Sequence, residues 1–395
     1  MSVLTQLSRS PREIAANLRA ARFDVGEMSG ALGDLGTFLP LLLAMSACGA
    51  IDFTTSLLFA GICTLATGFL FRIPMPVQPM KAIATIAIAQ GLSVAQVAAA
   101  GAIVGSVTML VGCVGLADRI GRWLPQSVVR GLQLALAGTL AWKGFELVTR
   151  TSAWWTLDGR AIAIVALVLV LLLASSRRWP IAAILFAFGL VVAATSLPAD
   201  SRIAGVHQPA FAFVIPDIVN LDGASWRSAW LAAAPQMPLT LLNSVVAICA
   251  LSATLFPHAA ASPRRVAVSV GVMNLAGACF GAMPLCHGAG GLAAQYRFGA
   301  RTNGSILMLG SAKVVLALAF GAALVPLCNA FPASILGVML FVPAIELGRI
   351  ALARASTREL SITIVTGAAS LWLGMSWGCA IGLVAALALL PRRTA

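Results

Sequence analysis

The sequence predicts an all-α integral membrane protein of 14 transmembrane segments, built as a 7+7 inverted repeat with half-helices in segments 3 and 10. Three observations carry this. Apolar residues make up 60% of the 395 positions and charged residues only 10%, with a mean hydropathy of +0.96. A water-soluble domain carries about 25% charged residues, so this chain cannot cover a surface in water. Arginines collect in alternate loops, and two proline- or glycine-broken stretches fall at matched positions of the two halves. Soluble enzymes, nucleic-acid binders and disulfide-stapled secreted modules are excluded together. The formal charge of +13 sets membrane orientation rather than marking a nucleic-acid partner.

A hydrocarbon core of about 30 Å needs about 20 helical residues. Taken in order, the apolar runs predict spans over Val25 to Gly49, Phe53 to Phe71, Val94 to Leu116, Pro125 to Ala141, Ala161 to Ser175 and Pro180 to Leu197. The second half offers Leu231 to Phe256, Val266 to Ala282, Gly304 to Leu327 and Pro332 to Leu347. The tail from Leu360 to Leu390 is too long for one span and fits a hairpin of two short segments broken near Gly374. Ile73 to Gln90 and Pro284 to Phe298 complete the fourteen. With a cytoplasmic N-terminus, nineteen arginines fall on one side: Arg9, Arg12, Arg19, Arg22, Arg72, Arg119, Arg122, Arg130, Arg177, Arg178, Arg264, Arg265, Arg297, Arg301, Arg349, Arg354, Arg358, Arg392 and Arg393. Four (Arg150, Arg160, Arg202, Arg227) fall on the other. That asymmetry fits the positive-inside rule and places both termini in the cytoplasm, in a cytoplasmic (inner) membrane.

The N-terminus up to Arg22 has no apolar core or small-residue cleavage site, so no removable signal peptide is expected. The eight cysteines are scattered through apolar stretches without a CxxC pair or a histidine cluster, and read as small packing residues. No metal site and no cofactor is expected.

An odd number of segments per half inverts one half against the other, the build of secondary transporters. Met75-Pro76-Val77-Gln78 recurs as Met283-Pro284-Leu285-Cys286 in the third segment of each half. Pro74 and Pro76 forbid a regular helix. Five extended residues cover roughly 16 Å, half the bilayer, and a helix from Pro79 to Gln90 adds about 18 Å. The stretch from Gly281 to Leu285 followed by a helix from about His287 to Phe298 repeats this from the opposite side. Two helix N-termini are then expected to face each other mid-membrane, each with about half a positive charge and unpaired N–H groups suited to an anion.

Lys81 falls in the first turn of the first half-helix, where a cation opposes the dipole and is expensive in lipid until an anion binds. Gly288, Gly290 and Gly291 leave the second half-helix open to close approach. His287 reads either as a ligand or as a satisfied core histidine. Lys313 reads as a packing or interfacial cation, and Glu346 as the partner of a neighbouring arginine. In the first span, Gly33-Asp34-Leu35-Gly36-Thr37 carries an intramembrane acid, a functional hypothesis by default. Asp34 would repel an anion directly, so a proton-coupling or Lys81-pairing role is expected. The alternative is a glycine packing motif with Asp34 near the interface. Its counterpart, Pro235-Gln236-Met237-Pro238-Leu239-Thr240 with Asn243, offers amides and a hydroxyl.

Gly30-Ala31-Leu32-Gly33-Asp34-Leu35-Gly36-Thr37, Pro74-Met75-Pro76-Val77-Gln78-Pro79-Met80-Lys81 and the run from Pro235 to Ser244 resemble the motifs of the molybdate transporter family, a branch of the sulfate-permease-like superfamily. The Pro-Val-Gln-Pro-Met-Lys run is the most specific piece, and the likeness spans nearly the whole chain. The resemblance implies the fold shared with uracil permease, with a core moving against a gate. The implied boundaries are 1–24 for a cytoplasmic N-terminal segment, 25–117 and 231–328 for the core, 118–198 and 331–391 for the gate, and 199–230 for an external loop. It also implies a tetrahedral dianion bound between segments 3 and 10, by Gln78, Met80, Lys81, Gln236, Cys286, His287, Gly288, Ala289 and Gly290, with Thr37 and Asn243 beside them. Asp34 and His287 are the proton-coupling candidates. Only five residues follow Leu390, so no cytoplasmic regulatory domain is expected.

The expected function is secondary transport of a tetrahedral oxyanion, most simply molybdate, with sulfate or tungstate as alternatives. No nucleotide-binding motif is visible, so an ion gradient is the default driver. The expected partners are that oxyanion, membrane lipid, a coupling proton or sodium ion and a second copy of the chain. A nucleobase permease on the same fold and a passive anion channel are the competing readings; the first would favour a second-half acid that is absent. An intramembrane enzyme needs a nucleophile with its base or a metal set, and neither is present.

Overall fold

The computed structural model describes residues 11–150, 154–173, 181–197, 221–353 and 356–389. Arg9, Arg177, Arg178, Arg202, Arg354, Arg392 and Arg393 of the charge count lie outside them. The first half runs through α1 (Pro11–Ala20), α2 (Val25–Leu32), α3 (Leu35–Ala47), α4 (Phe53–Leu70), β1 (Gln78–Pro79), α5 (Lys81–Gln90), α6 (Val94–Cys113), α7 (Leu116–Trp123), α8 (Gln126–Thr149), α9 (Arg160–Leu173) and α10 (Ile181–Ser196). The second half holds α11 (Gly223–Leu239), a π segment (Thr240–Ala247), α12 (Ile248–Leu255), α13 (Pro263–Ala278), β2 (Leu285–Cys286), α14 (Ala289–Arg297), α15 (Gly304–Ala319), α16 (Val325–Asn329), α17 (Ala333–Leu352), α18 (Thr357–Leu373) and α19 (Met375–Leu389). Among the described residues, four helices are long and apolar enough to cross a membrane, or up to six when each sharply bent pair counts as one span.

Local signals explain most boundaries. Asp52 accepts from the Thr55 N–H at 2.7 Å to start α4. Ser93 and Gln96 form a capping box for α6, as Ser356 and Glu359 do for α18. Gly374, at φ 90°, breaks the tail into its two helices.

Several expected spans come out differently. Val25 to Gly49 is not one helix: it bends by 43° between α2 and the residues from Thr37 to Ala47, with Asp34 as the N-cap of α3. Gly304 to Leu327 turns by 109° at Gly321, whose φ is 50°. The helix expected from Leu231 begins at Gly223, inside the stretch assigned to the external loop, because Asp222 caps it by accepting from Ser225 N at 2.8 Å. Pro235 and Pro238 withhold two N–H groups within α11, and the chain continues as the π segment. The span ending at Ala141 extends to Thr149, since Glu146 pairs with Lys143 and Arg150 one turn to either side.

Three helix pairs form the body of the molecule: α4 on α15, α6 on α13, and α8 on α17. Each crosses at small residues. A Cβ on Gly61 would lie 2.8 Å from Val314 N, one on Gly112 3.0 Å from Val268 N, and one on Gly337 2.7 Å from the Gly144 carbonyl. Backbones approach this closely only where side chains are missing, as at helix interfaces within lipid.

Candidate functional site

The two interrupted stretches meet. Neither Pro74-Met75-Pro76 nor Met283-Pro284 can satisfy its backbone within a helix, and the two stretches instead pair with each other, a contact that sequence reasoning did not anticipate. β1 and β2 run antiparallel, with Gln78 opposite Cys286 and Pro79 opposite Leu285, and the Met80 N–H donates to the Pro284 carbonyl at 2.9 Å. Asn274 on α13 holds β2 from behind: its Nδ2 donates to the Leu285 carbonyl at 2.7 Å and its Oδ1 accepts from Leu285 N at 2.8 Å. Ser56 likewise accepts from Met283 N at 3.1 Å.

From this ribbon the two short helices leave in opposite directions. α5 starts at Lys81 rather than Pro79, because Pro79 belongs to the ribbon, and α14 at Ala289 rather than His287, because the chain is still extended at its N-cap Gly288. The register sets N-cap Met80 and N-cap Gly288 four residues apart along it, about 13 Å at 3.3 Å per residue.

Around the first turn of α14 sit Asp34, Thr37 and Gln78. The Thr37 hydroxyl donates to Asp34 Oδ1 at 2.7 Å and accepts from Gln78 Nε2 at 2.8 Å. Gln78 Nε2 also donates to Asp34 Oδ1. A Cβ on Gly291 would lie 2.7 Å from Gln78 Nε2 and 2.8 Å from Asp34 Oδ1, and one on Gly288 would run into Gln78 Oε1. Glycine is therefore required there by contact. Asp34 does not pair with Lys81 as expected. It lies against α14, where a carboxylate is favourable next to the helix N-terminus, whereas Lys81 opens the other helix. Lys143 and Arg150 pair with Glu146, and Arg349 pairs with Glu346 at 2.8 Å, the last as the sequence suggested.

At α5, the Ala82 N–H donates to Gln236 Oε1 at 2.9 Å, and Gln236 Nε2 donates to Thr240 Oγ1 at 2.9 Å. Lys81 is partly buried beside it. Asn243 and Ser244, in the π segment that follows, are buried, and Asn243 Oδ1 finds no partner among the described residues. Met80 and Cys286 are buried in the ribbon.

Other expected residues face elsewhere. His287 is fully buried with Nδ1 2.8 Å from the Pro76 carbonyl and Nε2 3.1 Å from Ser269 Oγ, so both ring nitrogens are engaged by protein. Ala289 is buried in the packing, and Gly290 abuts Leu140.

Sequence reasoning underrated two groups. Lys313 is 5% exposed with Nζ 3.8 Å from the centre of the Phe38 ring, one turn along α3 from Asp34, so it is buried rather than interfacial. Glu27 is also buried and accepts from Arg301 N at 2.9 Å and Thr302 N at 2.8 Å. An intramembrane charge was the signal available for both.

The chain is thus a helical membrane protein with a paired-strand crossing between two short helices. Solved structures share the architecture. The transmembrane domain of the cyanobacterial bicarbonate transporter BicA superposes with a TM-score of 0.58 at 16% identity, covering 92% of this chain and 97% of that one. The overall structure of SLC26A9 matches with a TM-score of 0.60 at 14% identity over 93% of this chain, which spans 65% of that longer protein. The model of the family described as "Molybdate transporter of MFS superfamily" matches residues 26–140 and 228–347. Molybdate transporter 2 of Arabidopsis thaliana is 37% identical over 90% of this chain and 85% of its own, and molybdate transporter 1 of Chlamydomonas reinhardtii is 32% identical over 92% and 91%. The chain belongs to the molybdate transporter family.

Proposed function

We propose that this protein is a secondary transporter of a tetrahedral oxyanion, molybdate before sulfate or tungstate, bound between the N-termini of α5 and α14. The observation that carries the reading is the β1–β2 ribbon, which ties two helix N-termini together with Lys81 at one and Gly288 and Gly291, packed against Gln78 and Asp34, at the other. Backbone N–H groups at two positive helix ends, with an ammonium beside one, suit a compact dianion. The similar proteins of Arabidopsis thaliana and Chlamydomonas reinhardtii are molybdate transporters, which supports the same substrate here.

In this reading the chain has fourteen segments in an inverted 7+7 repeat, with α5 and α14 as the half-helices of segments 3 and 10. Helix contacts support it. A two-fold exchange of the halves would swap α4 with α13 and α6 with α15, turning the α4–α15 contact into α13–α6 and mapping α8–α17 and β1–β2 onto themselves, which is the observed pairing. The core (25–117 and 231–328) moves against the gate (118–198 and 331–391) in a cytoplasmic membrane, with both termini inside. Importing a dianion against a negative interior costs about 2.3 kcal/mol per charge per 100 mV, so a proton or sodium ion accompanies it. Asp34 is the better carrier of a proton, because both nitrogens of His287 are engaged.

Uptake of radiolabelled molybdate into proteoliposomes tests the reading, with sulfate, tungstate and uracil as competitors and with an imposed pH step. Saturable uptake blocked by tungstate and abolished by Lys81→Ala is expected. Competition by uracil alone would establish a nucleobase permease, and single-channel currents far above carrier turnover would establish a channel.

A further inference from the structure

A second basic site lies just beyond α4. A cavity of about 470 Å³ is walled by Arg72, which follows α4, by His258 and Arg265 from the turn into α13, and by Phe71. No acid is among its lining residues, and the Arg72, His258 and Arg265 side chains make none of the hydrogen bonds seen among the described residues. The α13 terminus does not supply the donors. The Arg264 N–H is taken by Asp118 Oδ1 at 3.1 Å and the Arg265 N–H by Ser262 Oγ at 3.4 Å. What lines the cavity is two solvent-exposed guanidinium groups and an imidazole, with no acid among the lining residues, a basic rim that favours an anion.

The cavity adjoins the central site. Phe71 packs edge-on against His287, ring centres 5.9 Å apart and planes at 77°, and Gly288, the N-cap of α14, is the next residue. The Phe71 and His287 rings thus lie in sequence between the basic cavity and the N-cap of α14. A neighbouring cleft of about 560 Å³ shares Ala261 with this cavity and runs along Val246, Cys249, Ala250 and Ala253 towards the π segment.

We propose that the Arg72–His258–Arg265 cavity is a second oxyanion site, holding a tetrahedral dianion at the mouth of the pathway behind Phe71. This rests on the transport reading above. Two guanidiniums present paired N–H donors that match the edges of a tetrahedral oxyanion. A lipid headgroup phosphate offers the same chemistry, so the test must separate it from a free oxyanion.

The test is equilibrium dialysis of radiolabelled molybdate against the purified full chain in neutral detergent. Wild type should bind two molybdates. The double variant Arg72→Gln/Arg265→Gln should weaken one of them by about tenfold or more, the size of one charge-assisted contact, with its melting temperature unchanged. Arg72→Lys/Arg265→Lys should retain most of that binding, and Lys81→Ala should lose only the other molybdate. Should the double variant fail to fold, Arg265→Gln alone carries the same comparison. If the arginines only orient the chain in the membrane, one molybdate binds, sensitive to Lys81 and indifferent to the arginines, and the second site is overturned. Binding that depends on the arginines but not on Lys81 would instead overturn the central site. Adding phosphatidylglycerol but not phosphatidylcholine displaces the arginine-dependent molybdate if a headgroup is the natural occupant; no displacement assigns the site to the free oxyanion.

Discussion

Gln236 caps a helix to which it does not belong: its Oε1 accepts the Ala82 N–H at 2.9 Å, at the second residue of α5. The amide orientation is fixed, because a backbone N–H only donates and the carbonyl oxygen must face it, while Nε2 donates to Thr240. In this conformation a protein oxygen holds a donor that the proposed oxyanion would use. In the proposed transport reading, Gln236 stands in for substrate rather than donating to it.

Replacing that surrogate with a charge should jam the site. Gln236→Glu puts a carboxylate on the α5 N-terminus, where it gains about 0.3–2 kcal/mol from the helix dipole. The expected result is an apparent molybdate affinity at least about tenfold weaker, with a melting temperature equal to or above wild type. Gln236→Ala vacates the N–H and should leave affinity within a few-fold. Calorimetric titration of both variants checks this, and equal affinity in Gln236→Glu and wild type would remove Gln236 from the site.

Much of this was readable in the residues, and the part that was not has a physical reason. Pro74, Pro76 and Pro284 announced extended chain, and Gly374 a break, because these residues restrict or free φ locally. The β1–β2 pairing could not be read, since it depends on two stretches about 200 residues apart finding each other. Sequence separation also hid the Pro76 carbonyl beside His287, 211 residues away, and Gln78 beside Asp34, 44 residues away. Composition marks an acid or imidazole in lipid as costly, yet it cannot say whether Gln78, Pro76 or Lys81 offsets that cost. The length of α8 was misjudged because Lys143 looks like an exit from the membrane until Glu146 is seen to pair with it.

Asp34 tests the coupling. Asp34→Asn can keep the Thr37 bond through its amide oxygen while losing the charge beside α14. Molybdate exchange at equal pH should persist, within about tenfold of wild type, and the acceleration by an inward proton gradient should vanish. A gradient response unchanged in Asp34→Asn would place the coupling proton on another group.

Gly288 and Gly291 make a steric prediction. Gly288→Ala drives a methyl into Gln78 Oε1, and Gly291→Ala sets one 2.8 Å from Asp34 Oδ1. Forced overpacking of this kind costs about 1–3 kcal/mol. Both variants should reach the membrane, melt several degrees lower and lose molybdate uptake. Gly223→Ala, where a Cβ meets nothing within 4 Å, is the control and should match wild type in both assays.

The last prediction concerns Lys313 and the mechanics of α3 against α15. Its ammonium sits 3.8 Å from the centre of the Phe38 ring, buried, with Asp34 one turn back along the same helix. Through Phe38, buried Lys313 is thus held one turn from the buried Asp34 carboxylate. If Lys313 serves only packing, Lys313→Met fills similar volume, removes a desolvated charge and should stabilise the protein or leave it unchanged, with uptake intact. If it balances Asp34 in the transport cycle, Lys313→Met leaves that carboxylate with one cation fewer, uptake falls by about tenfold or more, and Asp34→Asn/Lys313→Met recovers molybdate exchange. We expect the second pattern, because a lone lysine buried against an aromatic ring in lipid gains only about 2 kcal/mol from that ring, too little to hold the charge there. Recovery in the double variant, read from uptake and melting temperature together, is the measurement that separates the two.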